Sequence, residues 1–166
     1  MRAATAEAHD DLDHAFAVFD LADPSGFESF LAVHHAAMAT IAPIFADFVT
    51  GTLAMPAPDY LAMLAADMGH RAPPAAPAPD ALDGLGAAYV VAGSRLGLAV
   101  LRKRGFARPS RYMDDRAGLD VWRTLTGWMV AQPNDAAARR RAGDSARAGF
   151  AVFADALAAA TARCPA

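Results

Sequence analysis

The sequence predicts an all-α fold in a single domain, and three observations carry this prediction. Apolar residues recur at helical spacing along most of the chain, no β-branched alternation is long enough for a sheet, and the links between helical segments are short. The chain has 166 residues, and 55% of them are hydrophobic, which is ample material for one core. We therefore expect a multi-helix bundle that spans residues 1–166 as one domain.

The first two helices are predicted from their apolar stripes. The first covers about residues 3–19 and stops before the turn signals Pro24 and Gly26. The second covers about residues 25–50, and Pro43 should kink it because proline removes a backbone donor. The stripes contain Ala8, Leu12, Ala15, Phe16 and Phe19 in the first helix, and Phe27, Phe30, Leu31, His34, Met38, Ile41, Phe45 and Phe48 in the second.

Four more helices follow at similar spacing. A short one is predicted at about residues 59–69, and it leads into the proline-rich stretch 70–80, which we interpret as a stiff surface connector. The remaining helices are expected at about residues 80–104, 116–131 and 134–163. The six helices with short links favour a compact bundle.

Charge and cysteine content exclude several classes of partner and site. The net charge is −3, which gives no general attraction to nucleic acid or to an anionic membrane. The single cysteine, Cys164, allows neither an internal disulfide nor a thiolate metal cluster. No signal-peptide pattern opens the chain, and no uninterrupted apolar run reaches the roughly 18 residues of a membrane span. We expect a soluble, cytoplasmic protein.

Two glycines lie four residues apart near the middle of the fourth predicted helix. Each costs about 1 kcal/mol relative to alanine in a helix interior. On a helical wheel Gly93 and Gly97 share the most apolar sector with Tyr89, Leu96 and Val100, so we expect both to point into the core. Either a neighbouring helix packs closely on them or a flat ligand lies on exposed main chain, and a bend at the glycines is compatible with both.

Of the five histidines, two lie on or near apolar stripes. His9 lies at the edge of the stripe of the first helix, where it is either a satisfied core side chain or a ligand. His34 lies within the stripe of the second helix and is interpreted as a structural hydrogen-bonding residue. His14, His35 and His70 are interpreted as surface residues.

Two segments together resemble the haem oxygenase family, particularly its bacterial and bacteriophytochrome-associated members. The segment "MRAATAEAHDDLDHAF" is similar to the family pattern LRxxTxxxHxxLD, and "YVVAGSRLGLAVLRKR" is similar to the family's distal helix with its paired glycines. Weaker matches follow in the same order, so the likeness covers about residues 2–160. Leu98 departs from the family, which often has a small residue there, and Ala17 and Val18 stand where some relatives carry a basic residue.

This resemblance implies a haem oxygenase-like bundle and a reaction in which haem is both cofactor and substrate. The macrocycle is opened at a meso carbon to give biliverdin, ferrous iron and carbon monoxide, with O2 and electrons from an external reductant. The resemblance assigns His9 as the iron ligand and Gly93, Ser94 and Gly97 as the distal catalytic segment. A histidine ligand lacks the electron push of a thiolate.

The resemblance also suggests which other residues contact haem. Tyr89 and Phe150 stand where relatives line the haem, although each is a core aromatic if no haem binds. Arg2, Lys103 and Arg104 are the candidates for charge-assisted bonds to the propionates.

The last predicted helix carries a group of arginines at 139–141 and at Arg147. They form either a solvated helical face or a docking site for an acidic electron donor such as a ferredoxin. A flavin reductase is another candidate donor, and a bacteriophytochrome is a candidate receiver of biliverdin. Two other functions stay open: a haem carrier or sensor that does not degrade haem, and a helical scaffold that uses the glycines for close packing.

Overall fold

The computed structural model describes residues 1–103, 108–132 and 135–162, except for the side chain of Arg2. Within these ranges the chain forms seven α-helices and no β-strand, which confirms the prediction of an all-α multi-helix bundle. The helices are α1 (Arg2–Phe16), α2 (Pro24–Gly51), α3 (Tyr60–Met68), α4 (Gly84–Lys103), α5 (Arg111–Asp114), α6 (Ala117–Ala131) and α7 (Ala136–Ala162).

Helix α2 runs through the middle of the bundle and is buried along much of its length. It begins where the Asp23 carboxylate accepts the backbone N–H groups of Ser25 and Gly26, with Pro24 in the first helical position. Pro43 lies inside α2 without ending it. Helices α4 and α7 both pack on α2 and on each other, α1 packs on α7, α6 packs on α4, and α3 packs on α2. The core therefore lies between α2, α4 and α7.

The short helix α5 was not predicted, because its start is held by a side chain distant in sequence. The carboxylate of Asp67, near the end of α3, accepts the Ser110 hydroxyl at 2.7 Å and the backbone N–H groups of Arg111 and Tyr112 at 2.8 and 3.0 Å. The Ser110 hydroxyl oxygen also accepts the N–H of Met113. This capping satisfies donors that a single turn of helix leaves unpaired.

Helices α2 and α4 are each long and apolar enough to cross a membrane, judged by length and composition alone. Two-thirds of the most apolar window of α2 is buried inside the bundle. A core helix of a soluble protein passes the same test, so these two helices are weak evidence for a membrane location.

Candidate functional site

His9 lies on α1 where that helix packs against α7. The His9 ring meets the Phe150 ring edge-on, with ring centroids 5.8 Å apart. Five residues earlier on α1, the carbonyl of Ala4 accepts a hydrogen bond of 2.7 Å from Arg147. The side chain of His9 is nevertheless 57% exposed. The helix is therefore fixed in place while one side of the imidazole stays open.

The two nitrogens of the His9 ring have different surroundings. Nδ1 lies 3.2 Å from a carboxylate oxygen of Asp13, one turn further along α1, and 3.9 Å from Asp10. A carboxylate beside Nδ1 favours the proton on that nitrogen and leaves the lone pair on Nε2. Histidines that bind metals usually have such an acceptor facing the other ring nitrogen. His9 therefore presents Nε2 as a potential ligand atom.

Two contacts hold the first half of α4, and the residue before it, against α7. The Ser145 hydroxyl donates to the Asp83 carboxylate at 2.6 Å and accepts the Asp83 backbone N–H at 2.9 Å. One turn further along α7, Gly149 lies so close to Val90 that a Cβ on the glycine would be 2.9 Å from Val90 Cγ2. The later residue of α7 contacts the later residue of α4, so the two helices run in the same direction.

These contacts bring His9 and the middle of α4 to the same level of the bundle. On α7, Phe150 touches His9 and the preceding residue, Gly149, touches Val90. Gly93 lies one turn beyond Val90 on α4, at 3.6 residues per turn. Helices α1 and α4 both pack on α7, and α4 also packs on α2 and α6. Of the predicted site residues, His9 and Phe150 are in contact, and by this register Gly93 lies about one turn beyond their level.

The two glycines of α4 have unlike surroundings. Gly93 is half-buried, and a Cβ there would lie 3.2 Å from Cζ3 of Trp122 on α6. Gly97 is exposed, and a Cβ there would meet nothing within 4 Å. The ring of Tyr89, half-buried, lies 5.4 Å from that of Trp122. Packing by a neighbouring helix therefore explains Gly93 and does not explain Gly97.

The expectation that both glycines point into the core is wrong. Leu96 and Val100, in the same sector, are 46% and 47% exposed, whereas Leu98 is buried. The buried residues of α4 are Gly86, Ala87, Ala88, Val90, Val91, Ala92, Arg95 and Leu98. An apolar strip along α4, made of Leu96, Gly97 and Val100, is thus left open, and we call it the open strip.

Ser94 lies between the two glycines and is half-buried. Its hydroxyl donates to the carbonyl of Val91 at 2.8 Å, and its oxygen lies 3.4 Å from a guanidinium nitrogen of Arg95, which donates to it. The hydroxyl proton is therefore used within α4, and the oxygen remains an acceptor.

A buried arginine on the opposite side of α4 was not found from the sequence. The guanidinium of Arg95 lies 4.5 Å from the ring centroid of Tyr60 and 4.2 Å from that of Tyr112, and it donates to the Tyr112 carbonyl at 2.9 Å. The side chain is 2% exposed. Two tyrosines at distant sequence positions supply this cation–π environment, and no local pattern could indicate it.

His34 forms part of the same cluster, in the structural role that the sequence predicted. Its Nδ1 lies 2.8 Å from the Tyr112 hydroxyl, at hydrogen-bond distance. Burial, and secondarily the nearby Arg95, lowers the pKa of His34 to about 3. His34 is therefore a neutral, buried side chain without the open side that His9 has.

The predicted propionate contacts are described only in part. Lys103, the last residue of α4, has an exposed side chain. The side chain of Arg2, whose backbone begins α1, and all of Arg104 lie outside the described residues. Within the arginine group of α7, residues 139–141 are exposed, and Arg147 forms an ion pair with Asp144 in addition to its bond to Ala4.

Over the described part of the chain, no three His, Cys, Asp or Glu side chains are grouped to hold a metal ion. Comparisons of the chain with protein-family models, with curated proteins and with solved structures find no match.

Proposed function

We propose that this protein is a haem oxygenase that binds haem between α1 and α4 and cleaves it to biliverdin, ferrous iron and carbon monoxide. One inference from the packing supports the proposal: His9 contacts Phe150 of α7 and the preceding Gly149 contacts Val90 of α4, so the open imidazole would lie near the level of Gly93. The resemblance of the two segments that contain these residues to haem oxygenases adds support. Dioxygen is the oxidant, and an external reductant supplies the electrons.

Helices α1 and α4 each offer a surface that would suit a flat, apolar ligand with one metal atom. Phe150 lies against the His9 ring, and the open strip of α4 offers apolar surface with no side chain at Gly97. Exposed apolar side chains grouped on one helix face are typical of a surface that a ligand or partner covers. His9 would hold the haem iron through Nε2, and these apolar side chains would be buried against the macrocycle.

Haem supplies the iron that binds dioxygen and the macrocycle that is oxidised. Asp13 keeps the proton of His9 on Nδ1 and thereby orients the ring. The distal residues Gly93, Ser94 and Gly97 carry no acidic side chain, so protons would reach the reacting group through water bonded to the Ser94 oxygen and to main-chain groups. Main chain without Cβ atoms would set how closely the distal side approaches the ligand.

Cations at the end of α4 would orient the propionates. Lys103 is exposed at that end, and Arg104 follows it in the sequence. The expectation that Arg2 joins them is wrong: α1 runs along α7 in the same direction as α4, so Arg2, which begins α1, stands at the opposite end. Charge-assisted bonds from Lys103 and Arg104 would fix the rotation of the haem in its plane and so select the meso carbon attacked. The exposed arginines 139–141 would attract an acidic electron donor such as a ferredoxin, or a flavin reductase. A bacteriophytochrome is the candidate receiver of the biliverdin.

A non-degrading haem carrier or sensor is the second candidate, because the same His9 geometry supports ligation without turnover. The open surroundings of Gly97 disfavour the third candidate, a scaffold in which both glycines serve close helix packing.

The proposal is tested by haem titration of the purified protein, followed by reduction in air and identification of the product. We expect one haem per chain, then loss of the haem spectrum as biliverdin appears. His9→Ala should change or remove the axial ligation and lower turnover by more than about 100-fold, since even loss of an outer-shell partner costs up to that factor. His14→Ala is the matched control, because His14 is exposed and bonded through Nδ1 to the carbonyl of Asp10.

Three outcomes separate the candidates. Biliverdin formation that depends on His9 supports the oxygenase. Persistent haem after reduction in air supports the carrier and contradicts the oxygenase. Failure to take up stoichiometric haem contradicts both and favours the scaffold.

A further inference from the structure

A second polar region lies on elements other than those that carry His9 and Gly93. An open groove of about 560 Å³ runs between the first half of α2 and the end of α3 with the residues that follow it. Its walls include Glu28 and His35 from α2 and His70 and Arg71 from the stretch after α3. The proposed haem reaction uses none of these residues.

His35 is the least satisfied side chain of this groove. It is 1% exposed, and neither ring nitrogen has a hydrogen-bond partner among the residues that the structure describes. The expectation that His35 is a surface residue is therefore wrong. An unpaired buried polar group is unfavourable, and a ligand in the groove would offset that cost. Burial, together with the neighbouring His70, lowers the pKa of His35, so the ring is neutral and one nitrogen carries a lone pair.

The neighbouring His70 also presents a lone pair. Its Nδ1 lies 3.0 Å from the carbonyl oxygen of Arg71. A carbonyl oxygen only accepts, so Nδ1 donates the proton, and the lone pair of the neutral ring lies on Nε2. Metal-binding histidines have this arrangement, in which a backbone carbonyl fixes the tautomer.

The separation of the two rings fits a shared metal ion. The ring centroids of His35 and His70 are 5.6 Å apart, with ring planes inclined at 35°. With metal–nitrogen bonds of about 2.1 Å, two imidazoles on one ion have ring centres about 5 to 6.5 Å apart. We propose that His35 and His70 form a two-histidine site for a late first-row divalent metal ion such as Zn²⁺, Ni²⁺ or Cu²⁺.

This ion would have an open coordination shell. Since no third His, Cys, Asp or Glu joins the pair among the described residues, water fills the remaining positions, and binding is weaker than at a closed structural site. Imidazole nitrogens suit these metals, and the order of affinity should follow Cu²⁺ above Ni²⁺ and Zn²⁺. The inference is independent of the haem proposal, because it uses other residues on other helices.

The donor inventory favours a cation over an anion in this groove. An anion needs hydrogen-bond donors, but the proton of His70 is already used at Nδ1 and neutral His35 offers only one N–H. The guanidinium of Arg71 would attract an anion, and the carboxylate of Glu28 in the same wall offsets that charge. A phosphate titration makes this alternative an outcome of the test.

The test is a Zn²⁺ titration of haem-free, ¹⁵N-labelled protein, followed through the histidine ring nitrogens by NMR. One equivalent of Zn²⁺ should shift Nε2 of His70 and one nitrogen of His35. His70→Gln, at an exposed position, should lower the affinity by about tenfold or more through loss of one of two protein ligands. His14→Gln is the control and should bind Zn²⁺ like the parent. His35→Gln adds a second test if it folds, and His70→Gln suffices if it does not.

Several outcomes would overturn the proposal. Zinc could leave both rings unshifted, which would show that water alone fills the groove. Shifts confined to His9, which has Asp10 and Asp13 nearby, would move the metal to α1. A response of His35 to phosphate without any response to zinc would make the groove an anion site.

Discussion

The two faces of α4 are both apolar in sequence, yet only one is packed. The packed face carries Val91, Arg95 and Leu98 into the core, where Arg95 lies between two tyrosine rings. The other face carries the open strip of Leu96, Gly97 and Val100, with no neighbour near Gly97. Apolar composition therefore did not decide which face was buried.

Partners distant in sequence decided it. Tyr60 and Tyr112 supply aromatic faces for the buried guanidinium of Arg95, and the Tyr112 carbonyl accepts from it, while its Nε–H has no partner among the described residues. Over the described ranges, no comparable partner covers Leu96 and Val100, which are nearly half exposed. The packed face serves stability, and under our proposal the open face serves the ligand. Changes of pH and substitutions on each face in turn test whether the packed face serves stability and the open face serves the ligand.

The largest effect should come from acid, through His34 beside the packed face. Its folded pKa of about 3 lies below the ordinary value of 6.5, so the unfolded chain takes up this proton first as the pH falls. The free energy of unfolding should therefore be highest above 6.5 and decrease between 6.5 and 3, by up to about 1.4 kcal/mol per pH unit. Urea unfolding across this pH range measures the slope.

His34→Gln should flatten this pH dependence, and His14→Gln, at an exposed position, should leave it as in the parent. An equally steep slope in His34→Gln would show that other groups cause the acid sensitivity.

The next largest effect should come from Gly86→Ala, where α4 meets α7. A Cβ on Gly86 would overlap the Ser145 hydroxyl oxygen and lie 2.5 Å from the carbonyl carbon and oxygen of Ser145. Backbone atoms of α7 cannot rotate away, so the two helices must separate, at a cost of about 3 kcal/mol in the free energy of unfolding. Urea unfolding at neutral pH measures this loss.

Gly127→Ala on α6 is the matched control, since a Cβ there meets nothing within 4 Å. It should stabilise the protein by about 0.5–1 kcal/mol, because alanine favours helix over glycine. An undiminished stability in Gly86→Ala would contradict the tight contact between α4 and α7.

Local pattern predicted the helices because periodicity and turn residues act over short distances. The α2 prediction, for example, was within one residue at each end, with Pro24 and Gly26 marking its start. The cap of α5 by Asp67 and the burial of Arg95 and His35 were not predictable, since their contacts join segments far apart in sequence. Of the candidate site, the sequence indicated His9 and Gly93. It did not indicate that Gly97 is exposed, because burial along α4 depends on how far α6 packs on it.

The smallest effect on stability, and the most informative one, should come from Gly97→Ala on the open strip. A Cβ there meets nothing within 4 Å, so the protein alone should gain about 0.5–1 kcal/mol from the better helix former. If haem lies on this main chain, the added methyl group must push it away, and haem affinity or the biliverdin isomer pattern should change although stability improves. Urea unfolding and haem titration of the same variant give both readouts. A methyl group cannot be added beneath a close-lying ligand without displacing it. A Gly97→Ala variant that is stabilised and still binds and cleaves haem like the parent would therefore show that the ligand does not use this face of α4.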